Sequence, residues 1–70
     1  MVEPVEITVN GEPRRVDPGT TVAALVGSLG YGDGPVAVER NQQVVPRAQH
    51  VACVIEAGDR IEIVSFVGGG

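Results

Sequence analysis

Three features of this 70-residue chain predict an α+β fold, a mixed sheet of four to five strands with one helix packed across it. Apolar and polar residues alternate over several short stretches, as in strands with one buried face. One stretch in the first half has apolar residues at helical spacing. Glycine, proline and asparagine separate these stretches. The chain is long enough for one domain with a small core, and a helix laid on a sheet buries such surfaces compactly.

The first predicted elements form a β-hairpin. Its first strand carries three apolar residues that alternate with polar ones, Val5, Ile7 and Val9. Asn10-Gly11 follows, a strong hairpin signal because both residues tolerate positive φ. The returning strand is predicted from Arg14 to Asp17. Because Pro13 has no N–H to donate to a ladder, this strand should start late or lie at a sheet edge.

A short helix is predicted after the turn at Asp17-Pro18-Gly19. Thr21 is placed to cap the helix N-terminus, and Gly30 fits the position just beyond its end. The apolar stripe between them consists of Val22, Leu25, Val26 and Leu29. Two helical turns are too short to be stable alone, so packing on a sheet must hold this helix in place.

The second half of the chain predicts another hairpin and a final strand. The hairpin strands are Val36 to Arg40 and Gln43 to Val45, joined by a turn at Asn41-Gln42. The final strand is predicted from Arg60 to Phe66, with Ile61 and Ile63 on one face and Glu62 and Val64 on the other.

Residues 47 to 55, which connect these elements, follow neither period clearly. We expect their larger apolar residues to reach the core, namely Val51, Val54 and Ile55.

Composition excludes several classes of function. The net charge is −4 and no basic run exists, which argues against nucleic-acid binding. We expect no membrane insertion or secretion, because no long apolar run or signal-peptide pattern is present. Cys53 is the only cysteine, so an internal disulfide is impossible, which is compatible with a reducing cytosol. We therefore expect a cytoplasmic protein that is a monomer when free.

No residue pattern indicates an enzyme. His50 and Cys53 have no second pair of ligands, whereas structural zinc requires four. A catalytic Cys-His pair would lack an evident oxyanion site or substrate pocket. Three glycines, Gly30, Gly32 and Gly34, follow a helix, whereas a phosphate-binding loop follows a strand and opens a helix. We expect the chain to bind no metal or cofactor.

The chain ends in glycines directly after its best strand, and this predicts a domain over residues 1–66 followed by a flexible tail over 67–70. The tail is either a flexible end without a role or a segment whose terminal carboxylate takes part in a reaction. Without Cβ atoms, Gly68, Gly69 and Gly70 form the least hindered peptide available, which could enter a narrow channel in another protein. In that case the terminal carboxylate could react, provided that a partner activates it.

Three motifs together resemble the ThiS family, the sulfur carriers of thiamine thiazole biosynthesis. They are the run from Asn41 to Arg47, the run from Gly58 to Ile63, and the terminal Gly69-Gly70. The resemblance covers essentially the whole chain and implies a ubiquitin-like β-grasp fold. The Val-Pro-Arg stretch favours this family over MoaD, the molybdopterin sulfur carrier of the same fold.

The chain departs from the family pattern at three places. His50 stands where the family often has tryptophan, the turn at Asn41-Gln42 is often Asn-Gly, and Gly68 is an additional glycine. The first two concern packing and turn chemistry, and the third lengthens the tail.

The resemblance also implies a mechanism and partners. A ThiF-like enzyme, using its own ATP and Mg²⁺, would adenylate the carboxylate of Gly70. Sulfur from a cysteine desulfurase relay would then displace AMP, and the resulting thiocarboxylate would supply a ThiG-like thiazole synthase. Gly68 and Gly69 would provide reach. From the apolar residues that lead into the tail, we expect Val64, Phe66 and Val67 to dock on partners, although Phe66 could equally pack in the core.

The sequence alone does not exclude two other functions. Carriers of this fold also serve molybdopterin synthesis or thiolation. Alternatively, Gly70 could be joined to lysines of other proteins, as in ubiquitin-like modifiers, or the chain could be a plain binding module.

Overall fold

The computed structural model of the protein describes residues 3–31 and 34–66. Within these ranges the chain forms a five-stranded sheet and one α-helix. The elements are β1 Val5–Val9, β2 Glu12–Val16, α1 Val22–Ser28, β3 Val36–Arg40, β4 Gln43–Val45 and β5 Arg60–Ser65. A 3₁₀ turn, Arg47–Gln49, lies between β4 and β5. The predicted α+β fold is confirmed.

The sheet has the strand order β2-β1-β5-β3-β4 and is mixed. Strand β5 lies in the centre, parallel to β1 and antiparallel to β3. The two hairpins, β1-β2 and β3-β4, therefore flank the strand that leads into the terminal tail. This placement gives β5 backbone partners on both sides.

The prediction for the second strand was wrong in its bounds and right in its position. Strand β2 runs from Glu12 to Val16, so it starts two residues before Arg14 and ends one residue before Asp17. It is an edge strand, in which Pro13 lies opposite Thr8. An edge strand tolerates proline where its missing N–H would have pointed away from the ladder.

The helix is capped as its sequence predicts. The Thr21 side chain accepts a hydrogen bond from the Ala24 N–H at 3.1 Å, and Gly30 has a φ of +89°. Its buried stripe packs with one face of the sheet to form the core, which consists of Ile7, Val9, Val22, Leu25, Val26, Val38, Val45, Ile55, Ile61 and Ile63. No helix in the described part of the chain is long and apolar enough to cross a membrane.

The expectation that Val51 and Val54 reach the core is wrong. Their exposed fractions are 73% and 45%, whereas Ile55 is buried as expected. Backbone hydrogen bonds fix this segment against the start of the helix. The Val22 N–H donates to the Cys53 carbonyl at 2.9 Å, and the Ile55 N–H donates to Thr20 at 2.9 Å. Because the backbone itself is anchored, Val51 and Val54 can stay in solvent.

Candidate functional site

Strand β5 is the last element before the predicted tail. This strand ends at Ser65, one residue earlier than predicted. The Phe66 N–H nevertheless donates to the carbonyl of Pro35 at 3.0 Å, so the backbone pairing continues one step beyond the strand. Val67 and the three terminal glycines lie outside the described residues. The boundary between residues 66 and 67 and the role of Gly70 therefore stay predictions.

Asn10, in the turn between β1 and β2, holds one side of β5. Its Oδ1 accepts from the Ile63 N–H at 2.8 Å, and its Nδ2 donates to the Ile63 carbonyl at 3.2 Å. Strand β1 ends at Val9, so the Asn10 side chain takes the place of the next backbone partner. The residue adopts a φ of +50°, which asparagine tolerates better than most residues.

Asn41, in the turn between β3 and β4, holds the start of β5 in a similar way. Its Oδ1 accepts from the Arg60 N–H at 2.9 Å, and its own N–H donates to the Arg60 carbonyl at 2.8 Å. Its φ is +53°. The sequence predicts Asn10 and Asn41 only as turn residues, because the distant partners of their side chains cannot be read from spacing. Both turns thus also orient the strand that carries the tail.

Asp59, just before β5, is a buried carboxylate with three hydrogen-bond donors. They are Arg40 Nε at 2.7 Å, the Glu56 N–H at 2.9 Å and Asn41 Nδ2 at 3.0 Å. Burial alone would raise the pKa of Asp59, but these donors and the Arg40 charge outweigh it and hold the pKa below its usual value of 3.8. The ionised form therefore stabilises the fold.

Arg40, the partner of Asp59, also joins the neighbouring loop. Its guanidinium lies 3.7 Å from Glu56 Oε1 and donates to Cys53 Sγ at 3.6 Å. Although burial lowers its pKa, the hydrogen bond and charge of Asp59 give a net rise. This cluster attaches the loop before β5 to the end of β3.

His50 and Cys53 take structural positions. His50 is buried, and its Nε2 donates to the Val45 carbonyl at 2.9 Å, since a carbonyl can only accept. Cys53 is half-buried and receives the Arg40 contact. In residues 3–31 and 34–66, no three or more histidine, cysteine, aspartate or glutamate side chains are grouped so as to hold a metal ion.

The face of the sheet turned away from the helix, here called the open face, carries exposed apolar residues. Val64 lies opposite Ala37, and Val44 lies on the neighbouring row of the same face. The exposed fractions are 70% for Val44, 56% for Val64 and 57% for Phe66. Phe66 is therefore not a core residue. The predicted docking residues Val64 and Phe66 are accessible, and Val44 is a further exposed apolar residue of this face that sequence reasoning missed.

The open face also carries two like charges directly opposite each other. Glu39 on β3 pairs in register with Glu62 on β5, and Val44 on β4 lies on the other side of Glu39. Both carboxylates are exposed. Like charges at directly opposed positions in a sheet are destabilising.

The fold and the tail-bearing strand agree with known proteins. The profile of the ThiS family matches residues 7–70. The chain belongs to the ThiS family. The crystal structure of the thiamine biosynthesis protein ThiS from Geobacter metallireducens is similar, with a TM-score of 0.75 and 36% identity over 94% of this chain and 100% of that one. The mixed sheet with one helix is thus the β-grasp fold that the sequence resemblance implies.

Two further relatives of this ThiS-family chain differ greatly in length. The sulfur carrier protein ThiS of Escherichia coli is 30% identical over 94% of this chain and 100% of the relative. A thiazole synthase of Magnetococcus marinus is 46% identical over 94% of this chain. The chain spans only about a fifth of that synthase, since the match covers 20% of its length.

Proposed function

We propose that the chain carries sulfur as a thiocarboxylate on Gly70 and donates it to the formation of the thiamine thiazole. The observation that supports this proposal most is the family match, which runs to residue 70 and so includes the terminal glycines. The geometry adds that the central strand leads into the tail beside an exposed apolar surface. The chain is then a cosubstrate of other enzymes and not itself a catalyst.

The chemistry requires activation of the Gly70 carboxylate. A carboxylate is a poor electrophile because its negative charge repels nucleophiles and it has no good leaving group. One of its oxygens attacks the α-phosphorus of ATP, and pyrophosphate leaves as the acyl-adenylate forms. A sulfur nucleophile then attacks the acyl carbon and AMP leaves. Sulfide gives the thiocarboxylate directly, whereas a persulfide gives an acyl disulfide that a thiol must reduce.

The glycines of the tail suit each of these steps. A side chain beside the acyl carbon would hinder attack, and glycine has none. Four extended residues beyond Phe66 reach at most about 14 Å, so the partner's reaction centre must lie within that distance of the docked domain. Ordering the tail costs conformational entropy. Apolar contacts from Val64, Phe66 and Val67 would offset this cost.

Three partners follow from this chemistry. A ThiF-like adenylating enzyme binds ATP and Mg²⁺, and a cysteine desulfurase relay supplies sulfur. A ThiG-like thiazole synthase accepts the sulfur from the carrier. The Magnetococcus marinus relative supports this last partner, because a sequence similar to this chain forms part of a thiazole synthase there. We expect the carrier to act in the cytoplasm and to be monomeric when free.

Intact-mass spectrometry tests the proposal. The carrier is incubated with the adenylating enzyme, Mg-ATP, a cysteine desulfurase and cysteine, and a reaction without ATP is the control. We expect one C-terminal oxygen to be replaced by sulfur only when ATP is present. An unchanged mass with an enzyme that charges another ThiS protein would refute the carrier mechanism. Covalent conjugates with other proteins, without sulfur transfer, would instead indicate a modifier.

A further inference from the structure

Glu39 and Glu62 place two like charges at directly opposed positions of the sheet. In the described part of the chain, the ion pairs of Arg40 go to Asp59 and Glu56, and neither Glu39 nor Glu62 forms one. Opposed side chains on neighbouring strands have Cβ atoms about 5 Å apart. The two carboxylates therefore share one small region of solvent and repel each other.

The surroundings of this pair indicate a protein partner. Val44 and Val64, each more than half exposed, lie beside the two carboxylates on the open face. A protein that covers these valines also removes water from around the carboxylates, which strengthens their attraction to a positive charge. One arginine guanidinium has five N–H donors in a planar fork and can bind both carboxylates at once.

We propose that Glu39 and Glu62 orient the carrier on thiazole synthase by binding a basic side chain of that enzyme, most suitably an arginine. This inference rests on the proposed function. Thiazole synthase is the chosen partner because a sequence 46% identical to this chain is part of a thiazole synthase in Magnetococcus marinus. The contact turns repulsion in the free carrier into attraction in the complex, so it favours docking without stabilising the free domain.

The test uses the double variant Glu39→Gln/Glu62→Gln in the full chain. The matched control is Glu3→Gln/Glu12→Gln, which makes the same charge change at two exposed residues away from the pair. Each carrier is first charged and its thiocarboxylate confirmed by intact mass. The KM of thiazole synthase for the charged carrier is then measured at several salt concentrations.

The double variant should charge normally and unfold at the same or a higher urea concentration. Its KM with thiazole synthase should rise about 3- to 10-fold, and that KM should depend less on salt than the wild-type KM does. The control variant should keep the wild-type KM.

Two results would overturn the proposal. One is an unchanged KM and salt dependence in the double variant. The other is a loss confined to the charging reaction, which would place the pair on the surface used by the adenylating enzyme. Failure of the wild-type chain to gain sulfur is a separate outcome, visible by mass before any transfer is measured, and it would count against the proposed function.

Discussion

The two faces of the sheet are formed by the same strands but differ in how far their side chains are exposed. On β5, Ile61 and Ile63 point toward the helix and are 1% and 4% exposed, whereas Val64, the next residue, is 56% exposed. The covered face supplies apolar burial that holds the domain together. The open face carries exposed apolar residues, among them Val64 and Phe66 at the end of the described chain. Alternation along a strand therefore allows one element both to stabilise the fold and to expose apolar side chains.

The largest expected effect on stability comes from the covered face. Ile63→Ala should lower the free energy of unfolding by about 2–5 kcal/mol, because it removes buried methyl groups and leaves a cavity. That is a large part of the stability of a domain this small. Urea denaturation measures the change. The matched variant Val64→Ala on the same strand should cost less than about 0.5 kcal/mol. Similar losses at both positions would contradict the division between the faces.

Asp59→Asn tests how much the buried carboxylate of Asp59 contributes to the free energy of unfolding. The folded pKa of Asp59 lies below its usual 3.8, so the ionised group stabilises the fold at neutral pH and loses that contribution as the pH falls through 3.8 toward the folded pKa. The variant should lose about 1–2 kcal/mol at neutral pH, because the charge-assisted bond to Arg40 is weakened.

The difference between wild type and Asp59→Asn should shrink as the pH is lowered below 3.8, since the wild-type carboxyl is then increasingly protonated. Urea unfolding at a series of pH values measures this difference in the free energy of unfolding. A difference that stays constant down to acidic pH would show that ionisation of Asp59 does not contribute to stability.

The open face should affect binding far more than stability. Val64→Ala/Phe66→Ala should raise the KM of thiazole synthase for the charged carrier about tenfold, which corresponds to roughly 1.4 kcal/mol of lost binding. Both residues are more than half exposed, so the urea midpoint should change little. Steady-state kinetics of sulfur transfer from the charged carrier provide the measurement. A wild-type KM in the double variant would remove these residues from the docking surface.

The regular elements could be predicted because their signals are local. The alternation in β1 and β5, the capping position of Thr21 and the turn at Asn10-Gly11 each depend on neighbours in sequence, and the structure confirms them. Pro13 indicated either a late start or an edge position for the second strand, because proline has no N–H to donate, and the structure shows the edge position.

The remaining features depend on partners far apart in the chain. The Asn10 side chain binds Ile63 across 53 residues, and no spacing rule predicts this. Asp59 is buried because Arg40 and Asn41 in the β3-β4 hairpin form hydrogen bonds with it. Burial of Val51 and Val54 was predicted wrongly, because an anchored irregular backbone has no period from which burial could be inferred. Val44 was missed as an exposed residue of the open face because only the strand register shows on which face it lies.

The most direct test of the central claim, that the domain serves to present the Gly70 carboxylate, is one added residue. A chain with alanine after Gly70 keeps every described contact but moves the free carboxylate onto a hindered residue. We expect this variant to unfold at the wild-type urea concentration and to gain no sulfur by intact mass under conditions that charge the wild type fully. Sulfur incorporation at the wild-type rate would contradict the account.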